Sequence, residues 1–134
     1  MILQTTLSMS AAAGLIALWL AVRTGKARMS AKVWHGDGEN PVLLRRMRAQ
    51  ANYGESAPFV LILVAAIEFS GKGGAEHGNW LAIVGGLYML ARIAHGIGMD
   101  KPEKSPLRAA GFIISALTLL GLALTAVLIA AGRF

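Results

Sequence analysis

Between Ala109 and Ala131 the chain carries no charged residue. A bilayer core takes about 20 residues of helix to cross, and its lack of water forces every backbone polar group to be satisfied internally. A run of this length therefore points to a membrane-spanning helix. Other parts of the chain repeat the pattern: Ile2 to Val22, the second half of the segment from Pro41 to Phe69, and Trp80 to about Met99. The spacing predicts an all-α integral membrane protein, a four-helix bundle with spans at about 2–22, 41–69, 80–99 and 106–131. The 134 residues form one domain, 1–134, with no room for a second.

Charge placement sets the expected orientation. The net charge is +6, but the cations do not form a separate basic module of the kind that binds nucleic acid. Arg23, Lys26, Arg28, Lys32, Arg45, Arg46 and Arg48 lie around the first connection, and Arg92, Lys101, Lys104 and Arg108 around the third. The opposite side has only Lys72 and Arg133. By the positive-inside rule the basic loops are cytoplasmic and both termini lie across the membrane. The stretch from Met1 to Val22 has no basic residue before its apolar part, which reads as an uncleaved first span rather than a signal peptide. The chain has no cysteine, so disulfides, thiolate metal sites and cysteine nucleophiles are excluded.

The polar residues inside the spans carry the functional argument. A charged side chain at bilayer depth is costly unless it is paired or faces a polar cavity. Arg45, Arg48, Asn52 and Glu55 recur at i, i+3, i+7 and i+10, one stripe of the second helix. The stripe suits a small zwitterion with carboxylates and an amine. A structural reading is that Glu55 pairs with Arg48 or a neighbouring helix and locks the bundle. Pro58 is expected to kink this helix and free a carbonyl near Gly54. Arg92, His95 and Met99 share a face at the end of the third helix; alone, His95 reads as an interfacial histidine bonded to backbone. Ser105 is expected to cap the fourth helix and Pro106 to open it. Arg108 then falls in the first turn, where a cation opposes the helix dipole and calls for a nearby anion. His35, Asp37 and Glu39 have metal-ligand chemistry, but in a Gly- and Asn-rich turn they read as solvated, and no metal is expected. Small residues at Ala11 to Gly14 and Gly85-Gly86 offer close helix packing. Polar residues from three helices thus converge at one depth, near the cytoplasmic side.

The stretch Arg48-Ala49-Gln50-Ala51-Asn52-Tyr53-Gly54-Glu55-Ser56-Ala57-Pro58-Phe59 resembles the second-helix signature of the MAPEG family, the membrane-associated proteins of eicosanoid and glutathione metabolism. Ala91-Arg92-Ile93-Ala94-His95 and Ser105-Pro106-Leu107-Arg108 agree with it, as does the whole length of the chain. The resemblance implies a homotrimer of four-helix subunits with glutathione bound between neighbours in the cytoplasmic half of the membrane. It implies that Arg48, Gln50, Asn52 and Glu55 bind glutathione, that Arg92 and His95 line the same cavity, and that Arg108 holds the thiol as thiolate. It also implies a basic contact after the first span, assigned to Arg28, with Arg23 second. A guanidinium beside a thiol favours the charged, nucleophilic form.

Three positions depart from the better-known members: Met99 stands where a tyrosine occurs, Ser56 replaces a tyrosine, and Ala109 replaces a serine. They argue against a specific eicosanoid reaction. The His35-to-Asn40 loop looks like that of bacterial members, which implies an inner-membrane location. The function implied is a glutathione-dependent transferase, with peroxidase activity as a variant, acting on a lipophilic small molecule that enters from membrane lipid. The alternative is a non-catalytic scaffold or regulatory protein of the same fold. A transporter is disfavoured by the absence of an internal repeat.

Overall fold

A computed structural model describes residues 2–134; Met1, the start of the stretch weighed as a signal peptide, lies outside the described residues. Four long helices follow one another: α1 (Gln4–Ala31), α2 (Pro41–Phe69), α3 (Trp80–Gly98) and α4 (Pro106–Ala130). A 3-10 turn, Ala75–His77, precedes α3. Among the described residues there is no strand. α3 packs chiefly on α4, and α1 on α2.

The first helix is longer than expected. The polar segment from Arg23 was expected to be loop, yet α1 continues to Ala31. No proline interrupts it, and Thr24 and Ala27 are buried against the bundle. α1 ends where Lys32 takes a left-handed φ of 55° and the Val33 N–H turns back to the Arg28 carbonyl at 3.1 Å. This is the usual way of satisfying the last carbonyls of a helix. The following turn runs as expected from its glycines: Gly36 and Gly38 have φ of 65° and 55°. Asn40 then caps α2, its Oδ1 accepting from the Leu43 N–H at 2.9 Å, with Pro41 at the first position.

Three helices, α1, α3 and α4, are long and apolar enough to cross a membrane. α2 is not among them. Its length, about 43 Å at 1.5 Å per residue, would suffice, but its first half carries Arg45, Arg46, Arg48 and Glu55, and only the half after Pro58 is strongly apolar. α2 continues through Pro58 as one helix. The outward faces of the other three are apolar: Leu15 and Leu18 on α1, Leu90 on α3 and Leu117 on α4 are all more than 60 % exposed. Such a surface suits lipid rather than water.

Specific side chains tie the helices together. Tyr53 Oη donates to the Ala13 carbonyl at 2.8 Å, joining α2 to α1. Ser56 Oγ and Tyr88 Oη lie 2.9 Å apart, joining α2 to α3. Glu68, read from sequence only as interfacial, reaches the first turn of α1. Its Oε1 accepts from the Thr5 N–H at 2.8 Å, and its Oε2 accepts from the Thr6 N–H and Thr6 Oγ1 at 2.7 Å. A carboxylate at a helix N-terminus satisfies orphan donors and complements the dipole. Gly85 admits the Met9 side chain, and Gly111 admits the α3 backbone near Ala91 and His95. At these two points a Cβ would collide with its neighbour.

Candidate functional site

The expected convergence of α2, α3 and α4 is observed. Arg48 and Asn52 from α2, His95 and Met99 from the end of α3, and Arg108, Ala109 and Phe112 from α4 line one cleft of about 370 Å³. This volume lies in the range of small-molecule sites. Each wall follows from helix geometry. Arg48 and Asn52 are one turn apart, as are His95 and Met99 and as are Arg108 and Phe112. Gly98 backs directly onto the Arg108 backbone, so the end of α3 and the start of α4 meet without an intervening side chain.

Glu55 lies one turn beyond Asn52. The Asn52 Nδ2 donates to Glu55 Oε2 at 3.5 Å, a long bond. Glu55 forms no ion pair with Arg48 or with any other group among the described residues, and it is exposed. The bundle-locking reading of this carboxylate therefore has no support in the fold. Arg108 is likewise exposed and has no anionic partner among the described residues. The anion that its place in the first turn of α4 calls for is not supplied by any of the described residues.

Arg92 is placed differently from expectation. It is only 2 % exposed and does not line the cleft. Its Nη2 donates to Asn52 Oδ1 at 2.8 Å and its Nη1 to Ser115 Oγ at 3.2 Å. Ser115 Oγ in turn donates to the Gly111 carbonyl at 2.7 Å. Arg92 thus fixes the Asn52 amide from behind, with its oxygen held inward and its nitrogen toward Glu55. His95 is 4 % exposed and lines the cleft, and its Nδ1 has no partner among the described residues. The backbone bond expected for a merely interfacial histidine is not seen at this nitrogen.

Two expected ligand residues lie elsewhere. Gln50 lies in a separate groove between α1 and α2, with Ser10, Gly14 and Tyr53. The reason is angular: it follows Arg48 by two positions, which turns it about 200° around the helix. Arg28 spans the loop after α1, donating to the Gly36 carbonyl at 2.7 Å and approaching Met47 Sδ at 3.4 Å. Arg45, the first member of the expected stripe, does not line the cleft either. Arg23, the second choice for the contact after the first span, is held by Asp100 and by the Gly96 carbonyl at 3.2 Å. Ser105 occupies the N-cap position of α4, but its Oγ bonds nothing, so it does not cap. Asp37 acts within its turn, its Oδ1 accepting from the Glu39 N–H at 3.1 Å. Phe112 was not singled out from sequence, although its position four residues after Arg108 places it on the same face.

A small helical protein with an apolar outer surface and a cationic cleft at the basic end of its bundle is the class defined so far. Comparison with protein families narrows it. The MAPEG family model matches residues 6–128, and the chain belongs to the MAPEG family. Together with the three apolar helices, that makes it a membrane protein. No curated protein matches the chain.

Proposed function

We propose that the chain is a glutathione-dependent membrane transferase whose cleft binds glutathione and holds its sulfur as a thiolate beside Arg108. The observation that carries this reading is the unpaired Arg108 guanidinium, which shares a cleft with Arg48, Asn52 and His95. MAPEG membership makes glutathione the thiol to consider. Its carboxylates match the exposed Arg48 and its amino group the exposed Glu55, with the Asn52 amide between them. Arg92 acts by orienting Asn52. The sulfur then faces Arg108, which lowers the free energy of the charged form.

The chemistry is thiolate attack on an electrophilic carbon of a lipophilic acceptor. A sulfur–carbon bond forms, and the displaced electron pair leaves with a leaving group or takes up a proton from solvent. Met99, Ala109 and Phe112 supply an apolar wall for that acceptor, which enters from the lipid that surrounds the bundle. Attack on a hydroperoxide is the variant, but conjugation is favoured because the chain has no cysteine to supply a second thiol. The basic end of the bundle faces the cytoplasm of a bacterial inner membrane in this reading, so glutathione enters from water and the acceptor from lipid.

The functional assembly is a homotrimer. Leu44, Arg48, Ala51, Glu55, Phe59, Ile62, Ala66 and Phe69 form an exposed seam along α2, with charges in its first half. Packing such seams around an axis removes Glu55 and Arg48 from lipid. It also brings the α1–α2 face of one subunit, which carries Gln50 and Arg28, toward the α2–α4 face of the next, a head-to-tail contact that closes into a ring. Those two residues then complete the site from the neighbour.

Glu55→Gln tests the ligand assignment. Loss of a charge-assisted bond to the amine, worth about 1.5–3 kcal/mol, is expected to weaken glutathione binding by roughly ten- to a hundredfold in calorimetric titration of the detergent-purified protein. Unchanged affinity would remove Glu55 from the site.

A further inference from the structure

Thiolate stabilisation depends on where Arg108 sits, yet the connection from Asp100 to Ser105 has no regular secondary structure. Its first residue is anchored on both sides. The Asp100 carboxylate forms an ion pair with Arg23 of α1 and lies 3.6 Å from Arg46 Nε of α2. The two arginines are themselves tied to the bundle. Arg23 Nη1 donates to the Gly96 carbonyl near the end of α3 at 3.2 Å, and its guanidinium lies 4.6 Å from the centre of the Trp19 ring. Arg46 Nη1 donates to the Arg23 carbonyl at 3.1 Å. A Cβ on Gly96 would come within 2.8 Å of the Trp19 ring, so α1 and α3 touch at this level. Gly98, two residues before Asp100, backs onto the backbone of Arg108. The network thus reaches the Arg108 backbone through the close contact at Gly98.

Its cost and benefit do not suit a stabilising role. Asp100 is 43 % exposed, and exposed ion pairs contribute little to stability. None of Asp100, Arg23 and Arg46 lines the cleft. What the network does is tie Arg23 of α1 and Arg46 of α2 to the turn where α3 hands over to α4.

We propose that Asp100, held between Arg23 and Arg46, is a positioning residue that sets the place of Arg108 relative to His95 and so to the glutathione sulfur. This rests on the glutathione reading above. Asp100 touches no ligand and acts only through the turn it fixes.

The test compares wild type, Asp100→Asn and Asp100→Glu in the full-length, detergent-purified protein. Calorimetry gives the dissociation constant of glutathione, and ultraviolet thiolate absorbance, followed across pH, gives the ionisation of the bound thiol. On the acid side of the transition, where the bound thiol is protonated, Asp100→Asn is expected to leave the dissociation constant unchanged. It is expected to raise the apparent pKa of the bound thiol by about one unit, a roughly tenfold loss of thiolate on the acid side of the transition. Asp100→Glu restores most of the thiolate. Amide exchange over Asp100 to Leu107 should quicken in Asp100→Asn and not in Asp100→Glu. A purely structural role would instead weaken binding and ionisation together, in both variants. If wild type binds and ionises glutathione and Asp100→Asn does so equally well, the positioning role is overturned and the function stands. If wild type binds no glutathione, the functional reading falls and the positioning role with it.

Discussion

Replacing Arg108 by alanine should abolish most turnover while leaving glutathione bound. A cation within about 4–6 Å lowers the pKa of an acidic group by about 1–3 units. Its removal should therefore return the thiol toward its ordinary value near 8.5 and cut the thiolate fraction at neutral pH by roughly ten- to thirtyfold. Binding of the protonated peptide should change far less, because Arg48, Asn52 and Glu55 hold its other parts in this reading. The measurement is a pH profile of thiolate absorbance beside a steady-state rate with a model electrophile. Arg108→Lys separates charge from geometry: a point charge replaces a planar fork, so part of the thiolate should return. An alanine variant with an unshifted thiol pKa would exclude the proposed role. Arg108 has no other anion to serve, since none of the described residues pairs with it.

The second large effect is structural and sits at Gly111. A Cβ there would stand 2.5 Å from the Ala91 carbonyl oxygen, 2.7 Å from His95 Cβ and 2.8 Å from the His95 backbone nitrogen. These are backbone atoms and a Cβ, which cannot move aside as a side-chain tip can. Gly111→Ala must push α4 away from α3 at the level of His95, and overpacking of this kind costs about 1–3 kcal/mol. The same shift disturbs Ser115, which donates to the Gly111 carbonyl and accepts from Arg92, and it widens the gap between His95 and Arg108. The thermal midpoint in detergent should fall, and activity should fall with it. Gly121 in the same helix is the control. A Cβ there meets nothing within 4 Å, so Gly121→Ala should raise the midpoint or leave it, given the better helix propensity of alanine by about 1 kcal/mol. Equal effects at the two glycines would contradict the packing described.

Much of the fold could be read from residue order because lipid and helix geometry leave few choices. Pro41 and Pro106 mark the starts of α2 and α4, and the Gly-rich turns mark the gaps. The end of α1 could not be read this way. Arg23 and Thr24 look like loop residues until Asp100 and the bundle are seen to hold them, and that contact joins positions far apart in the chain. The cleft shows the same division. Arg48 with Asn52, and His95 with Met99, follow from helical spacing within one segment. Only the resemblance groups Gln50 with Arg48, and the structure places it in the α1–α2 groove, about 200° around the helix from Arg48. Whether a buried arginine faces a ligand or a partner is not a matter of spacing. Arg92 turned out to serve Asn52 and Ser115, because Ser115 on α4 happens to stand opposite it across the α3–α4 contact.

Glutathione binding to the folded wild-type protein tests the central claim most directly. Titrated by calorimetry into the detergent-purified assembly, glutathione should give saturable heat and an ultraviolet thiolate signal that grows in step with it. S-methyl glutathione, which keeps the carboxylates and amine but has no ionisable thiol, should bind without that signal. Absence of saturable binding at millimolar glutathione, in protein shown to be folded, would contradict the account and favour a scaffold built on the same fold.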